Sequence, residues 1–205
     1  MRQRQGELRR GAYEVLRLPV TAEAAEAAAD PAIRAATAAD ADGIWAVLEP
    51  VIRGGEHYAL PRDMTREAAL AYWFSPGHDV CVALAAAGPG AGGGGGGAGG
   101  ESRVVGTYFI RPNQQGGGAH VANAGYATAQ AARGRGIARA MCAHSLERAR
   151  ARGFRAMQFN FVVATNERAV RLWQAMGFAV IGQIPGAFAH PTLGDVDALI
   201  MHRAL

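Results

Sequence analysis

The chain is poor in the residues that carry covalent and metal chemistry. Its only cysteines are Cys81 and Cys142 in 205 residues, far apart and without metal-ligand spacing. Their apolar neighbours predict small core hydrophobes in a reducing compartment, which speaks against a disulfide, a metal site or a thiol nucleophile. No apolar run approaches the roughly 20 residues that a membrane-spanning helix needs. Met1–Val20 carries arginines and glutamates in place of an apolar h-region, so no secretory signal is expected, and Glu7 and Glu14 weigh against a transit peptide. The expected location is the cytoplasm. Lysine is missing altogether: all 21 basic side chains are arginine. With the heavy use of alanine and glycine, this bias reflects genome composition rather than function.

A strong basic face is also lacking. The net charge is +4, but Arg2, Arg4, Arg9, Arg10 and Arg17 against Glu7 and Glu14 place +3 of it in the first twenty residues. The basic balance therefore belongs to the leader, which argues against a nucleic-acid surface, where basic residues interleave with aromatics. Half of the residues are hydrophobic and 19% are charged, the balance of a globular domain with enough chain for a real core.

Residues 1–30 read as a poorly packed leader, with Thr21–Ala29 helical, and 31–205 as one domain. Ile33, Ala35 and Thr37 predict a short strand. Asp40 or Asp42 can cap a helix through Ile44, Trp45, Leu48 and Ile52, and Arg53-Gly54-Gly55 ends it. After the loop from Glu56 to Asp63, Thr65 opens a second helix. Asp79–Ala86 and Arg103–Arg111 read as an antiparallel strand pair. The glycine-rich 87–102 between them, with six consecutive glycines at 92–97, is a flexible insert. Asn113–Gly118 is a turn and Ala119–Ala129 an extended stretch. A helix with a small or apolar stripe (Ala138, Met141, Cys142, Ser145, Leu146, Ala149) follows and ends at Gly153. Met157–Val163 alternates as a strand. Asn166 caps a helix stopped by Gly177, Phe178–Gln183 is a strand, Ile184-Pro185-Gly186 leads a late loop, and Gly194–Ala204 is the last strand.

One run stands apart. Arg133-Gly134-Arg135-Gly136-Ile137-Ala138 lies between an extended stretch and an amphipathic helix. Two glycines let the backbone turn tightly and gather N–H groups at one point. The following helix adds orphan donors and the positive end of its dipole. Such a turn suits a phosphate or pyrophosphate, with Arg133 and Arg135 for charge-assisted contacts. An arginine/glycine loop without a ligand would read the same way in isolation.

The flanking order decides. A strand, this turn, a helix, a strand, then Asn166-x-x-Ala169-x-x-Leu172-Trp173-x-x-x-Gly177-Phe178 resembles the GCN5-related N-acetyltransferase (GNAT) superfamily, from about Ile33 to the C-terminus. Arg133–Ala138 fits that superfamily's Arg/Gln-x-x-Gly-x-Gly/Ala signature. The resemblance implies an α/β fold of α+β type: a mixed, mostly antiparallel central sheet with a splayed parallel strand pair, flanked by helices. It implies acetyl-CoA as cosubstrate and no metal. The turn from Gly134 to Ala138 would hold the pyrophosphate, with Ile137 opening the helix. The pantetheine arm would pair with Ala127, Thr128 and Ala129 and meet Asn166, which also reads as a plain helix cap. Trp173 stands where many relatives carry a tyrosine proposed to protonate the departing thiolate. An indole N–H is not a useful acid, so Trp173 packs against the cofactor or is core.

Asn123 and Asn160, inside the two splaying strands, are the side chains singled out for catalysis. They either orient a small acceptor or satisfy each other and the broken sheet. Their spacing with Asn166 also resembles a branch, the azetidine-2-carboxylate and hydroxyproline acetyltransferases, in which asparagines handle an amino acid. Glu56, His57 and Tyr58 are expected on the acceptor side, with Glu56 or His57 taking a proton, and Phe188 with His190 closing the other side. The reaction implied is acetyl transfer to the amine of a small molecule, an amino acid or related amine. Two alternatives stay open: a protein or peptide N-acetyltransferase, and a silent acyl-CoA-binding domain. A homodimer is compatible with this reading.

Overall fold

The computed structural model describes residues 31–86 and 102–205. The basic leader, its expected helix at 21–29 and the glycine run at 92–97 lie outside the described residues. In chain order the elements are β1 (Ala32–Ala35), α1 (Ala41–Gly54), α2 (Arg66–Trp73), β2 (Asp79–Ala86), β3 (Ser102–Pro112), β4 (Val121–Thr128), α3 (Ile137–Ala151), β5 (Ala156–Val163), α4 (Glu167–Ala175), β6 (Ala179–His190) and β7 (Gly194–Ala204). Ser102, assigned above to the insert, is the first residue of β3. The seven strands form one sheet in the order β1-β2-β3-β4-β5-β7-β6. Every neighbouring pair is antiparallel except β4 and β5, so the mixed, mostly antiparallel α/β architecture is observed.

Each face of the sheet is covered by two helices. On one face Ile44, Val47, Leu48 and Ile52 of α1 and Trp73 of α2 pack with Val80, Val82, Phe109 and Ala127. On the other, Met141, Cys142 and Leu146 of α3 and Trp173 of α4 pack with Cys81, Tyr108, Ile110, Met157 and Met201. Buried polar groups are chained: Trp73 Nε1 donates to Thr107 Oγ1 at 3.0 Å, which donates to the Cys81 carbonyl at 2.9 Å. Leaving one such group unpaired costs about 1–3 kcal/mol. Both cysteines are free and buried, and burial pushes the Cys142 thiol up to about 12.

Two local expectations change. The entry to α1 is a one-turn 3-10 segment, Ala38–Asp40. Asp40 serves it from within, accepting from Thr37 N at 2.7 Å and Thr37 Oγ1 at 2.9 Å while Arg34 grips the same carboxylate through two 2.7 Å bonds. Asp42 instead pairs with Arg66 of α2. The second change is at the far edge. The segment read as a loop after Gln183 is a continuation of β6, which pairs with β7 as far as His190↔Gly194. Pro185 and Gly186 fall where the register shifts between Ile184 and Phe188. The Gly186 N–H donates to Asp197 Oδ1 at 2.8 Å. An edge strand tolerates proline because one row of its backbone groups has no ladder partner.

Candidate active site

The site begins where the sheet fails. β4 and β5 pair only at Val121↔Ala156 and Ala122↔Met157, and beyond that point they separate. Asn123 stands at the fork, and its Nδ2 donates to the Gln158 carbonyl at 2.9 Å, a side-chain substitute for the first missing ladder bond. β5 then shifts register against β7 between Phe159 and Val162, a bulge that turns it away from β4. Asn160 lies in this bulge. Its Nδ2 donates to Asn113 Oδ1 at 2.7 Å and its Oδ1 accepts from Gln158 Nε2 at 2.8 Å. The two asparagines therefore do not bond each other; each braces one lip of the gap.

Parity decides which backbone groups of β4 face the gap. Asn113 N bonds Val121 O and Ala129 N bonds Val105 O, so odd-numbered residues of this stretch exchange bonds with β3. By the alternation of an antiparallel ladder, Ala124, Tyr126 and Thr128 present their N–H and C=O groups toward β5. Ala127 and Ala129 direct theirs to β3. Tyr58 Oη donates to the Tyr126 carbonyl at 2.9 Å, tying the loop before α2 to the gap-facing edge of β4. Burial pushes the Tyr58 hydroxyl far above its ordinary value, so it stays protonated and holds this bond.

At the far end of β4 lies the glycine turn. Gly134 and Gly136 have φ of 81° and 78°, the left-handed region in which other residues are strained. A Cβ added to either would meet nothing within 4 Å, so the space in front of both is open. Gly136 is the N-cap of the 15-residue α3, with no side-chain cap and no acidic residue in the first turn. The first amides of α3 are thus left for an outside acceptor. An anionic diphosphate fits this cradle, and the strand edge facing the gap fits an amide-containing arm.

One cavity of about 600 Å³ joins the gap and the turn. It is lined by His57, Tyr58, Asn123, Ala127, Thr128, Arg133, Gly134, Gly136, Ile137, Ala138, Asn160, Asn166 and Trp173 among the residues expected from sequence. Glu56, Ala129, Arg135 and Phe188 are not in its wall. Glu56 is exposed beside His57, with Oε2 at 3.9 Å from Nε2. Arg135 is exposed on the turn. Phe188 is buried in β6, with its ring centroid 6.2 Å from that of Phe161, which does line the cavity. His190 stays at the end of β6. Asn166 accepts from Ala169 N at 3.3 Å through Oδ1, so it caps α4 and borders the cavity as well. Trp173 is packed against Tyr126 and Phe159, with centroids 4.9 and 5.1 Å away.

Sequence reading missed Tyr72, Arg111, Arg139 and Arg168, which also line the cavity. The lining holds these three arginines and Arg133 but no aspartate or glutamate. Among the described residues, two buried side-chain polar atoms are without a hydrogen-bond partner, His57 Nδ1 and Arg111 Nε. Among the described residues no group of three or more His, Cys, Asp or Glu could hold a metal ion, and no helix is long and apolar enough to cross a membrane.

A sheet parted over an uncapped helix N-terminus, with donors along one open strand edge, offers one elongated ligand both an anion cradle and an amide-pairing edge. Residues 61–178 match the family described as Acetyltransferase (GNAT) family. A GCN5-related N-acetyltransferase from Kribbella flavida is 41% identical, over 85% of this chain and 97% of that one, with a TM-score of 0.75. N-acetyltransferase aca1 of Schizosaccharomyces pombe is 29% identical over 137 residues, 66% of each protein, so the match spans just under two thirds of that relative. A phosphinothricin acetyltransferase from Sinorhizobium meliloti in complex with AcCoA shares the fold, with 21% identity over 86% of this chain, 89% of that one, and a TM-score of 0.70. The chain belongs to the GNAT acetyltransferase family.

Proposed function

We propose that the chain moves the acetyl group of acetyl-CoA to the amine of a small molecule, an amino acid or related amine. The observation that carries this reading is the Tyr58–Tyr126 bond. It ties the 57–60 loop to the gap-facing edge of β4, so that His57, Tyr58 and Leu60 line the same cavity of about 600 Å³ as the glycine turn, a volume of small-molecule size. A peptide acceptor calls for an open groove in its place.

In this reading the turn amides from Gly134 to Ala138, with Arg133 and the neighbouring Arg135, receive the pyrophosphate. Thr128, between Ala127 and Ala129, offers its N–H to the pantetheine arm, and the spare amide of Asn166 meets the same arm. Trp173 packs beside the thiol end. The amine nitrogen forms its bond to the thioester carbonyl carbon, the C–S bond breaks, and the thiolate takes up a proton. Gap-facing N–H groups of β4 stabilise the oxyanion.

The ammonium proton needs a base, and the lining contains no carboxylate. His57 supplies the imidazole, the side chain suited to proton exchange near neutrality. A proton on Nε2, facing Glu56, leaves the buried Nδ1 as acceptor. A thiol-release assay over small amines, cyclic amino acids and peptides tests the acceptor class: turnover confined to peptides would overturn it. His57→Gln should lower kcat by about 10²–10⁴-fold, leaving acetyl-CoA affinity intact. A retained kcat removes His57 from the proton path.

A further inference from the structure

The arginines of the cavity fall into two places. Arg133 and Arg139 flank the turn at the start of α3, and Arg168 lies in the first turn of α4. Arg111 is elsewhere. It sits on β3 directly opposite Asn123, at the closed end of the fork. Thr128 is five residues further along β4, which at strand spacing is about 17 Å away. That distance puts Arg111 beyond the reach of the pyrophosphate cradle.

Arg111 is half-buried and lacks what a guanidinium in such a wall ordinarily has. It makes no ion pair or side-chain hydrogen bond among the described residues, and its Nε is buried without any partner. The cavity lining supplies no carboxylate to it. Arg148 shows the contrast, with its guanidinium fork closed on Asp79 at 2.7 and 2.8 Å. Burying a charge without a counter-ion is costly, and an Arg fork is shaped for a carboxylate. Beside it, His78 stacks on Phe109 at 4.2 Å. Burial, and secondarily the charge of Arg111, hold the His78 imidazole below the ordinary range, so it adds no second positive charge beside Arg111. Meanwhile Asn123 Nδ2 is committed to the Gln158 carbonyl, and both ends of the Asn160 amide are taken.

We infer that Arg111 is the specificity-determining residue of the acceptor site. It receives a carboxylate carried by the acceptor amine, while Asn123 and Asn160 hold the fork open without gripping the acceptor themselves. This rests on the small-molecule reading above. The acceptor enters with its carboxylate toward Arg111 and its amine toward the gap-facing edge of β4, near His57. The missing counter-ion of the protein is then part of the substrate.

The test compares amino acids with their carboxamides in the thiol-release assay, using L-proline and prolinamide as the first pair and a linear pair as the second. In wild-type enzyme the acids should be preferred. Arg111→Gln should lower kcat/KM for the acids by about 10- to 100-fold, change that for the amides by less than about threefold, and leave the KM for acetyl-CoA unchanged. Arg111→Lys should restore part of the preference. Equal losses on acid and amide, or an unchanged acid-to-amide ratio in Arg111→Gln, overturn the inference, and so does wild-type turnover of small amines with no preference for the acids. That last result leaves the small-molecule activity standing, whereas turnover confined to peptides overturns both.

Discussion

At Gly136 backbone geometry and ligand chemistry demand the same residue. Its φ of 78° makes any side chain cost about 1–2 kcal/mol, and its position caps α3 with nothing but backbone. Gly136→Glu separates the two demands. A carboxylate at a helix N-terminus interacts favourably with the dipole, by about 0.3–1 kcal/mol, so part of the conformational cost is offset and the fold should persist. The same carboxylate occupies the anion cradle. Titration calorimetry should show acetyl-CoA affinity down by at least about 100-fold, with the circular dichroism spectrum unchanged. Retained affinity would place the pyrophosphate elsewhere. This residue was legible in the sequence because a glycine turn ahead of a helix is a local signal. Arg111 was not legible in the same way, and His57 stood only beside Glu56 as one of two proton acceptors. What distinguishes them is the lack of a partner, and a missing partner is a property of three dimensions.

Among the elements, α4 shows how one residue serves two ends. Asn166 caps it through Oδ1 and borders the cavity. Asn166→Ala removes the cap and should cost about 1 kcal/mol of stability. Thermal unfolding with and without saturating acetyl-CoA distinguishes the roles. A cap alone lowers Tm equally in both conditions, whereas a residue that also holds the donor lowers it more when acetyl-CoA is present. We expect the wider gap. Helices were read well from sequence because caps and stripes lie close along the chain: Thr65 accepts from Ala68 N as its position suggests. β6 was read too short. Pro185-Gly186 is an ordinary turn signal, and only pairing with β7, with Asp197 holding the Gly186 N–H, keeps the strand going past it.

For the whole molecule, acid should act in two stages. Burial holds the His78 and His144 imidazoles below the ordinary value, and Tyr108 Oη lies 2.5 Å from His144 Nδ1. The unfolded chain then binds more protons than the folded one below about pH 6.5, so stability rises with pH through that window and is lost on acidification. The carboxylates follow. The Arg34 guanidinium bound to Asp40 holds its carboxyl well below the usual range. Burial raises Asp79, but Arg148 and Arg152 together outweigh it and leave the net shift downward. Stability from these pairs is present above about pH 4 and lost below it. Tm measured against pH should be level above about pH 7, decline from about pH 6.5, and fall further below about pH 4. A level Tm from pH 7 to pH 5 would mean that the two histidines ionise as freely folded as unfolded. The sheet as a whole was readable only through the resemblance. Periodicity gives strands one at a time, whereas the insertion of β7 between β5 and β6 is a long-range choice.

The fork between β4 and β5 has one more consequence. Because the cavity draws its wall from both faces of the sheet, with Tyr72 and Phe109 on one and Leu172 and Trp173 on the other, the two helical layers meet across it. A repacking of either layer that moves β4 or β5 therefore changes the shape of the same space.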